Sequence, residues 1–280
     1  MALSSSCVFH YTSSISTLYK ILQSGGFYPS YCKEKNAVDM TSFIRVPMVS
    51  FCDIPLTQTA AIGSYGKFAI GLKMDWAKRN RLNPVNYVSN QSTIFDRSKK
   101  ISEALGKINT KLFQDSMITN VQKNPFGSLV VMALTINEKL PAKMNIDPNW
   151  VSMLQLSRLN IFQNTKEYEG LLERETKTTP NYRFYDEREW RYLPGINDRD
   201  PLHKPLYQEL AWSKIKIKYG SKPHFNTHKL TFTPNDISYI IVDNEKRVKT
   251  IAKKLKGMFP NDYENLLPKL ISFERIKSDF

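Results

Sequence analysis

The chain has 280 residues, 41% hydrophobic and 12% aromatic, which is ample for one large globular domain or one domain with an insertion. Its formal net charge of +14 favours a polyanionic partner such as RNA or DNA, or an acidic protein, with a generally basic solvated surface as the alternative. No run approaches the ~18 apolar residues of a membrane span, the N-terminus lacks the basic and apolar regions of a secretory signal, and three widely spaced cysteines, Cys7, Cys32 and Cys52, fit a reduced, cytoplasmic protein.

In chain order, Val8 to Tyr11 predicts a short strand. Ser13 or Ser14 then caps a helix on which Ile15, Leu18, Tyr19 and Leu22 fall at helical spacing, and Gly25-Gly26 ends it in the left-handed conformation. His10 and Tyr11 therefore stand at a strand end just before a helix, a frequent location for binding groups. A core histidine satisfied by the backbone is the other reading of His10. Pro47 to Cys52 reads as a buried strand broken by Asp53 and Pro55, and residues 67–73 as a further strand. Asp75 to Arg79 reads as a short helix stopped by Asn83-Pro84, and Val85 to Val88 as another strand.

Residues 89–123 are polar, with Ile101, Leu105, Ile108, Leu112 and Phe113 at helical spacing, and 150–162 is again helical. The apolar run Leu129 to Ile136 fits helix or strand. Residues 166–179 are charged and short of apolar anchors, which predicts an extended or flexible connector. Leu206 to Ile217 alternates weakly, placing Lys214, Lys216 and Lys218 on one strand face, either toward a phosphate backbone or as the guarded edge of a sheet. Leu230 to Thr233 and Ile237 to Val242 are strands around the turn Pro234-Asn-Asp. Asn244 caps a basic helix, 245–258, which carries Lys246, Arg247, Lys249, Lys253, Lys254 and Lys256, and Leu270 to Ile276 is a last strand.

The densest chemistry lies in Asn181 to Pro194. On a strand, Glu187 and Glu189 point to one face, and two like charges that close require nearby cations or a raised pKa. Two readings remain open: a catalytic pair, or a salt-bridged strand using Arg188, Arg191 or Arg45 across the sheet. The histidines His203, His224 and His228 are far from His10 and the cysteines form no paired motif, so no metal site is expected. The phosphate-loop pattern of a P-loop ATPase is absent. The architecture expected is α+β. A split, mostly antiparallel β core from residues 1–88 and 180–280 clasps one cleft within a single domain, with a helical insertion at 89–179.

Several long motifs carry a family resemblance. Tyr28-Pro-Ser-Tyr-Cys32, Val46-Pro-Met-Val-Ser-Phe-Cys-Asp-Ile-Pro-Leu-Thr57, Tyr65-Gly-Lys-Phe-Ala-Ile-Gly-Leu72, Asn83-Pro-Val85, Phe184-Tyr-Asp-Glu-Arg-Glu-Trp-Arg-Tyr-Leu-Pro194 and Asp236-Ile-Ser-Tyr-Ile-Ile-Val242 resemble the AbiGi family of abortive phage-infection proteins. The resemblance implies a bacterial, cytoplasmic phage-defence component, commonly labelled the antitoxin partner of a nucleotidyltransferase-like toxin. The chain start more distantly resembles the NAD-binding entry of DarT-type ADP-ribosyltransferases. That resemblance implies NAD as substrate, with His10 on its ribose, Tyr11 and Tyr65 as candidates to stack on nicotinamide, Ser50 on the second core strand and Arg45 on a phosphate. Glu189 would be the catalytic acid and Glu187 its partner on the acceptor side, in a toxin that modifies RNA or DNA. The alternative is an antitoxin that binds its toxin or operator DNA without catalysis.

Overall fold

Strand β4 (Phe43–Cys52) is the axis of the computed structural model, which describes residues 5–36, 42–58, 65–115, 148–173, 178–195, 206–209, 211–214 and 228–279. Before it come β1 (Cys7–Thr12), α1 (Ile15–Ser24), β2 (Gly26–Phe27) and β3 (Ser30–Lys35). After it come β5 (Phe68–Lys73), α2 (Met74–Arg79), β6 (Asn83–Pro84), β7 (Asn86–Val88), α3 (Thr93–Asp115) and α4 (Pro148–Asn164). The second half contributes β8 (Thr165–Glu167), β9 (Glu169–Glu173), β10 (Thr178–Arg183), β11 (Glu189–Tyr192), β12 (Tyr207–Gln208), β13 (Leu230–Thr231) and β14 (Ile237–Val242). It closes with α5 (Glu245–Met258), α6 (Tyr263–Leu266), β15 (Leu270–Ser272) and α7 (Phe273–Asp279).

Among the described residues the main sheet runs β15-β14-β5-β1-β4-β11-β6, with β3 and β12 also paired to β4. Both halves of the chain thus share one sheet, antiparallel except where β14 and β15 run parallel across the α5 crossover. The ten-residue β4 changes partners along its length. Its first half lies between β3 and β12, and its last residues between β1 and β11. Pro47, which has no N–H to donate, sits between the β12 and β11 contacts, where a central strand tolerates the missing bond.

Side chains alternate across the sheet, and the two faces differ. One face packs Val8, Val49, Phe51, Ile70 and Leu72 against Leu18 and Leu22 of α1, Trp76 of α2, and Ile251 and Leu255 of α5. Trp76 also donates its indole N–H to the Thr231 carbonyl at 3.0 Å. The other face seats Phe9, Ala69 and Ile241 against α7, and Ile44, Val46 and Met48 against Phe162 of α4. The helix ends follow local chemistry. Gly25 takes the left-handed conformation at φ 62° after α1, and the Asn244 side chain accepts from the Arg247 N–H at the start of α5.

Three sequence expectations change. Leu270 to Ile276 is strand only to Ser272. The Ser272 hydroxyl accepts the Arg275 N–H at 2.9 Å, and Phe273 and Ile276, three apart, bury one face of α7. Residues 166–179 are not a loose connector where described, because β8 pairs with β7 and β9 forms a hairpin with β10. Ion pairs Lys35–Glu167 and Lys33–Glu173 stand in for apolar anchors there. After β12, residues 211–214 are helical, so Lys214 is not on a strand. Trp212 seats its ring 4.7 Å from Tyr31, which overrides the weak alternation. The run Leu129 to Ile136, Lys216, Lys218, His203 and His224 lie outside the described residues.

Gly71 of β5 faces Phe9, and a Cβ there would lie 2.6 Å from that ring, which is fully buried. Gly71→Val should therefore overpack the sheet, costing about 1–3 kcal/mol, read as a lower urea midpoint with an unchanged slope.

Candidate functional site

The site forms where β11 lies against the end of β4. Glu189 pairs with Cys52 and Arg191 with Ser50, so these four side chains share one face. Glu187 reaches the same place by another route. It lies in a 3-10 turn, Phe184–Glu187, and Arg188 after it turns the chain at φ 46° before β11 begins. The expectation of two acids side by side on one strand is thus corrected in its geometry. A left-handed residue separates them, and the turn, not the strand period, brings them together.

Their meeting point is Lys166 of β8, whose ammonium donates to Glu187 at 2.7 Å and to Glu189 at 3.0 Å. Lys166 is held there because β8 runs parallel to β7, opposite Tyr87. The Tyr87 hydroxyl accepts the Glu189 backbone N–H at 2.8 Å. Tyr65 donates its hydroxyl to the other oxygen of Glu187.

Arg191 lies beneath this pair with 0% exposure. Its Nε donates to Glu189 at 2.8 Å, and one terminal nitrogen donates to Glu34 at 2.6 Å and to Glu189 at 3.1 Å. The other reaches the Gln163 carbonyl at 2.7 Å. Ser50 Oγ adds a bond to Glu189 at 2.9 Å. Both Glu189 oxygens are therefore engaged by Ser50, Lys166 and Arg191, and its exposure is 5%. Burial alone would raise the Glu189 carboxyl, but the Arg191 guanidinium and the Lys166 ammonium outweigh it and hold the group well below the usual range. Burial likewise works against the charged Lys166, and Glu189, Glu34 and Glu187 overcome it, raising its pKa well above the ordinary value.

The remaining predicted residues divide between the two faces. Tyr11 shares the Glu189 face, where burial and then Cys52 push its phenol upward. His10, the next residue back, points to the opposite face, with its ring 5.0 Å from Phe27 and 5.6 Å from Phe51. Its Nδ1–H donates to the Ser50 carbonyl at 2.9 Å; a carbonyl only accepts, so that nitrogen carries the proton. Burial lowers the His10 pKa despite that bond. The structure does not bring His10 into one cleft with Glu189; its link to Glu189 runs through the backbone and side chain of Ser50. Arg45 is also elsewhere. It forms a bidentate pair with Glu209 at 2.7 and 2.8 Å, and does not bridge to Glu187 or Glu189.

Lys166, Glu34 and Tyr87 were not singled out in the sequence. Lys166 sits in a charged run without apolar periodicity, and only the β7–β8 pairing reveals its role. A cleft of about 230 Å³ borders the cluster, lined by Lys35, Phe43, Tyr65, Lys166, Phe184 and Glu187 among others. A second, of about 370 Å³, adjoins Glu187 beside Asn181, Arg183 and Asp186. Among the described residues no group of His, Cys, Asp and Glu is arranged to hold a metal ion.

The chain matches the family model for the abortive phage resistance protein AbiGi, antitoxin, over residues 25–243. It belongs to the AbiGi family, an abortive phage resistance family. It is similar to the abortive phage resistance protein AbiGi of Lactococcus lactis subsp. cremoris, 26% identical over 250 residues, covering 84% of this chain and 89% of that protein. No solved structure matches. Among the described residues no helix is long and apolar enough to cross a membrane. Strand β1, with His10 and Tyr11, precedes the span matched by the family model.

Glu189→Gln leaves the buried Arg191 short of a counter-charge and should cost about 3–5 kcal/mol of stability, measured by urea unfolding. Because the Glu189 carboxyl titrates lower in the folded chain than its ordinary 4.5, its contribution is complete above that pH and declines as pH falls below it. The depressed His10 acts in the same direction below its ordinary 6.5. Acid unfolding of the wild type should therefore steepen below pH 4.5, and Glu189→Gln should flatten that limb. Burial, with Glu34 and Glu189 adding to it, pushes the Cys32 thiol up to about 11. Burial, followed by Glu187 and Glu189, also raises Cys52. Both should react with iodoacetamide at pH 8 far more slowly in the folded than in the unfolded chain, as counted by mass spectrometry.

Proposed function

We propose that the chain is the antitoxin of an abortive-infection pair and acts by binding its toxin without catalysis. One observation carries this reading: every Glu189 oxygen is engaged by Ser50, Lys166 or Arg191 in a buried seat. A glycosidic-bond-breaking transferase needs that carboxylate aimed at developing positive charge on the sugar. Here the charge it faces is the protein's own guanidinium and ammonium. The cluster instead ties β3, β8 and β11 together, as a scaffold that presents a surface requires. The antitoxin label in the family description supports the same reading.

A second reading is favoured by a different observation. Glu187 and Glu189 converge on one lysine, and Glu187, Lys166 and Tyr65 line a cleft of about 230 Å³. This would be an NAD-dependent ADP-ribosyltransferase toxin that modifies nucleic acid, with Glu189 catalytic and Glu187 its partner. It requires the cation cage to open on NAD binding.

The two readings separate in two assays. Purified protein incubated with phosphate-labelled NAD, RNA, DNA and host lysate should transfer no label, and expression alone should leave host growth unchanged. Co-expression with a nucleotidyltransferase-like toxin of an abortive-infection pair should restore the growth which that toxin arrests and co-purify the two chains. Label transfer by the wild type, or growth arrest by the chain alone, would overturn the antitoxin reading.

A further inference from the structure

We infer that the outer face of α5 is a docking surface for the phosphate backbone of duplex DNA, bound without reading its sequence. The face is built by helical spacing. Lys246, Lys249, Lys253 and Lys256 recur at intervals of three and four, which aligns them in one stripe. Ile251 and Leu255, on the opposite side of the helix, are fully buried against the sheet, so the stripe points outward. At about 1.5 Å per residue it spans about 15 Å, and the sheet behind it makes it a rigid ruler of charge.

The stripe is not neutralised. Lys246, Lys249 and Lys253 form no ion pair among the described residues. The acid of the helix, Glu245, is turned away to Ser272 and Arg275. Arg247 is held by Asp243 at 2.7 Å, beside the stripe. Lys254 lies 4.2 Å over the Tyr19 ring of α1, which locks the flank of the helix.

Charge and composition select the partner. Protein–protein interfaces are depleted of lysine at their centres and anchored by large apolar side chains. This helix shows the reverse: exposed lysines, and no exposed large apolar residue from 245 to 258. Lysine is a flexible point charge that suits phosphates without demanding the planar geometry of arginine. Single-strand binders add exposed aromatic platforms for stacked bases. The ring beside the stripe, Tyr263, is half-buried and lies 5.9 Å from the Lys256 ammonium, so it is no open platform, and the fit is to the regularly charged backbone of a duplex. The net charge of +14 supplies long-range attraction to the same polyanion.

The test uses the purified chain alone, so its outcome does not depend on whether the chain binds a toxin. A fluorescein-labelled 20-base-pair DNA duplex is titrated by anisotropy at several KCl concentrations, beside a single-stranded RNA of equal length and poly-glutamate. The expected result is salt-sensitive duplex binding, tighter than to either competitor. In K246Q/K249Q/K253Q/K256Q the slope of log K against log salt should fall by about 3.6, since each phosphate contact contributes about 0.9. These lysines are exposed, so the variant should keep the wild-type circular dichroism and unfolding midpoint. Absence of duplex binding, an unchanged salt slope in the variant, or equal or tighter binding of RNA or poly-glutamate would overturn the proposal.

Discussion

The buried guanidinium of Arg191 is the constraint on which the site depends. A fully buried cation is tolerable only when its charge is matched and its N–H groups are occupied. Arg191 meets that condition by recruiting Glu189 from its own strand, Glu34 from β3 and the Gln163 carbonyl at the end of α4. Each partner comes from a different part of the chain. Satisfying one arginine therefore fixes where the helical segment returns to the sheet and how β3 and β11 flank β4.

Once Arg191 is placed, the rest of the cluster follows from charge pairing. Glu34, Glu187 and Glu189 exceed Arg191 alone, and Lys166 enters as the second cation. Tyr65 and Ser50 then fill remaining acceptor positions on the two central acids. A network whose members are all bonded is rigid, and it specifies one arrangement where an apolar core would allow several. That rigidity supports the proposed role of the cluster in a binding scaffold.

The two faces of the sheet also divide the molecule's roles. The face with Glu189 collects buried charge beside concave clefts, while the other is covered by α1, α2 and α5 over an apolar core. His10 belongs to the second face, packed on Phe27 and Phe51. Being one residue from Tyr11 in a strand is enough to put it on the far side of the sheet. The outer surface of α5, in turn, is free to carry charge because its inner surface is committed to packing.

Local features were legible in the amino-acid sequence because their causes are local. The 245–258 helix with its Asn244 cap, the Gly25 stop after α1, and the strands at 68–73 and 237–242 all follow from periodicity and turn chemistry. The concentration of acids and bases at 187–191 marked the site, and the aromatic-charged motif marked the family. What the tertiary structure decided is everything that depends on partners distant in sequence. The 3-10 turn at Glu187 and the left-handed Arg188 replaced the strand period. Trp212, packed on Tyr31, turned an alternating run into helix, and Ser272 capped a helix where apolar content allowed a strand. Lys166 shows the reason most directly. Its neighbours in sequence give it no pattern, and it becomes the centre of the site only because β8 pairs with β7 and delivers its charge to two carboxylates more than twenty residues away.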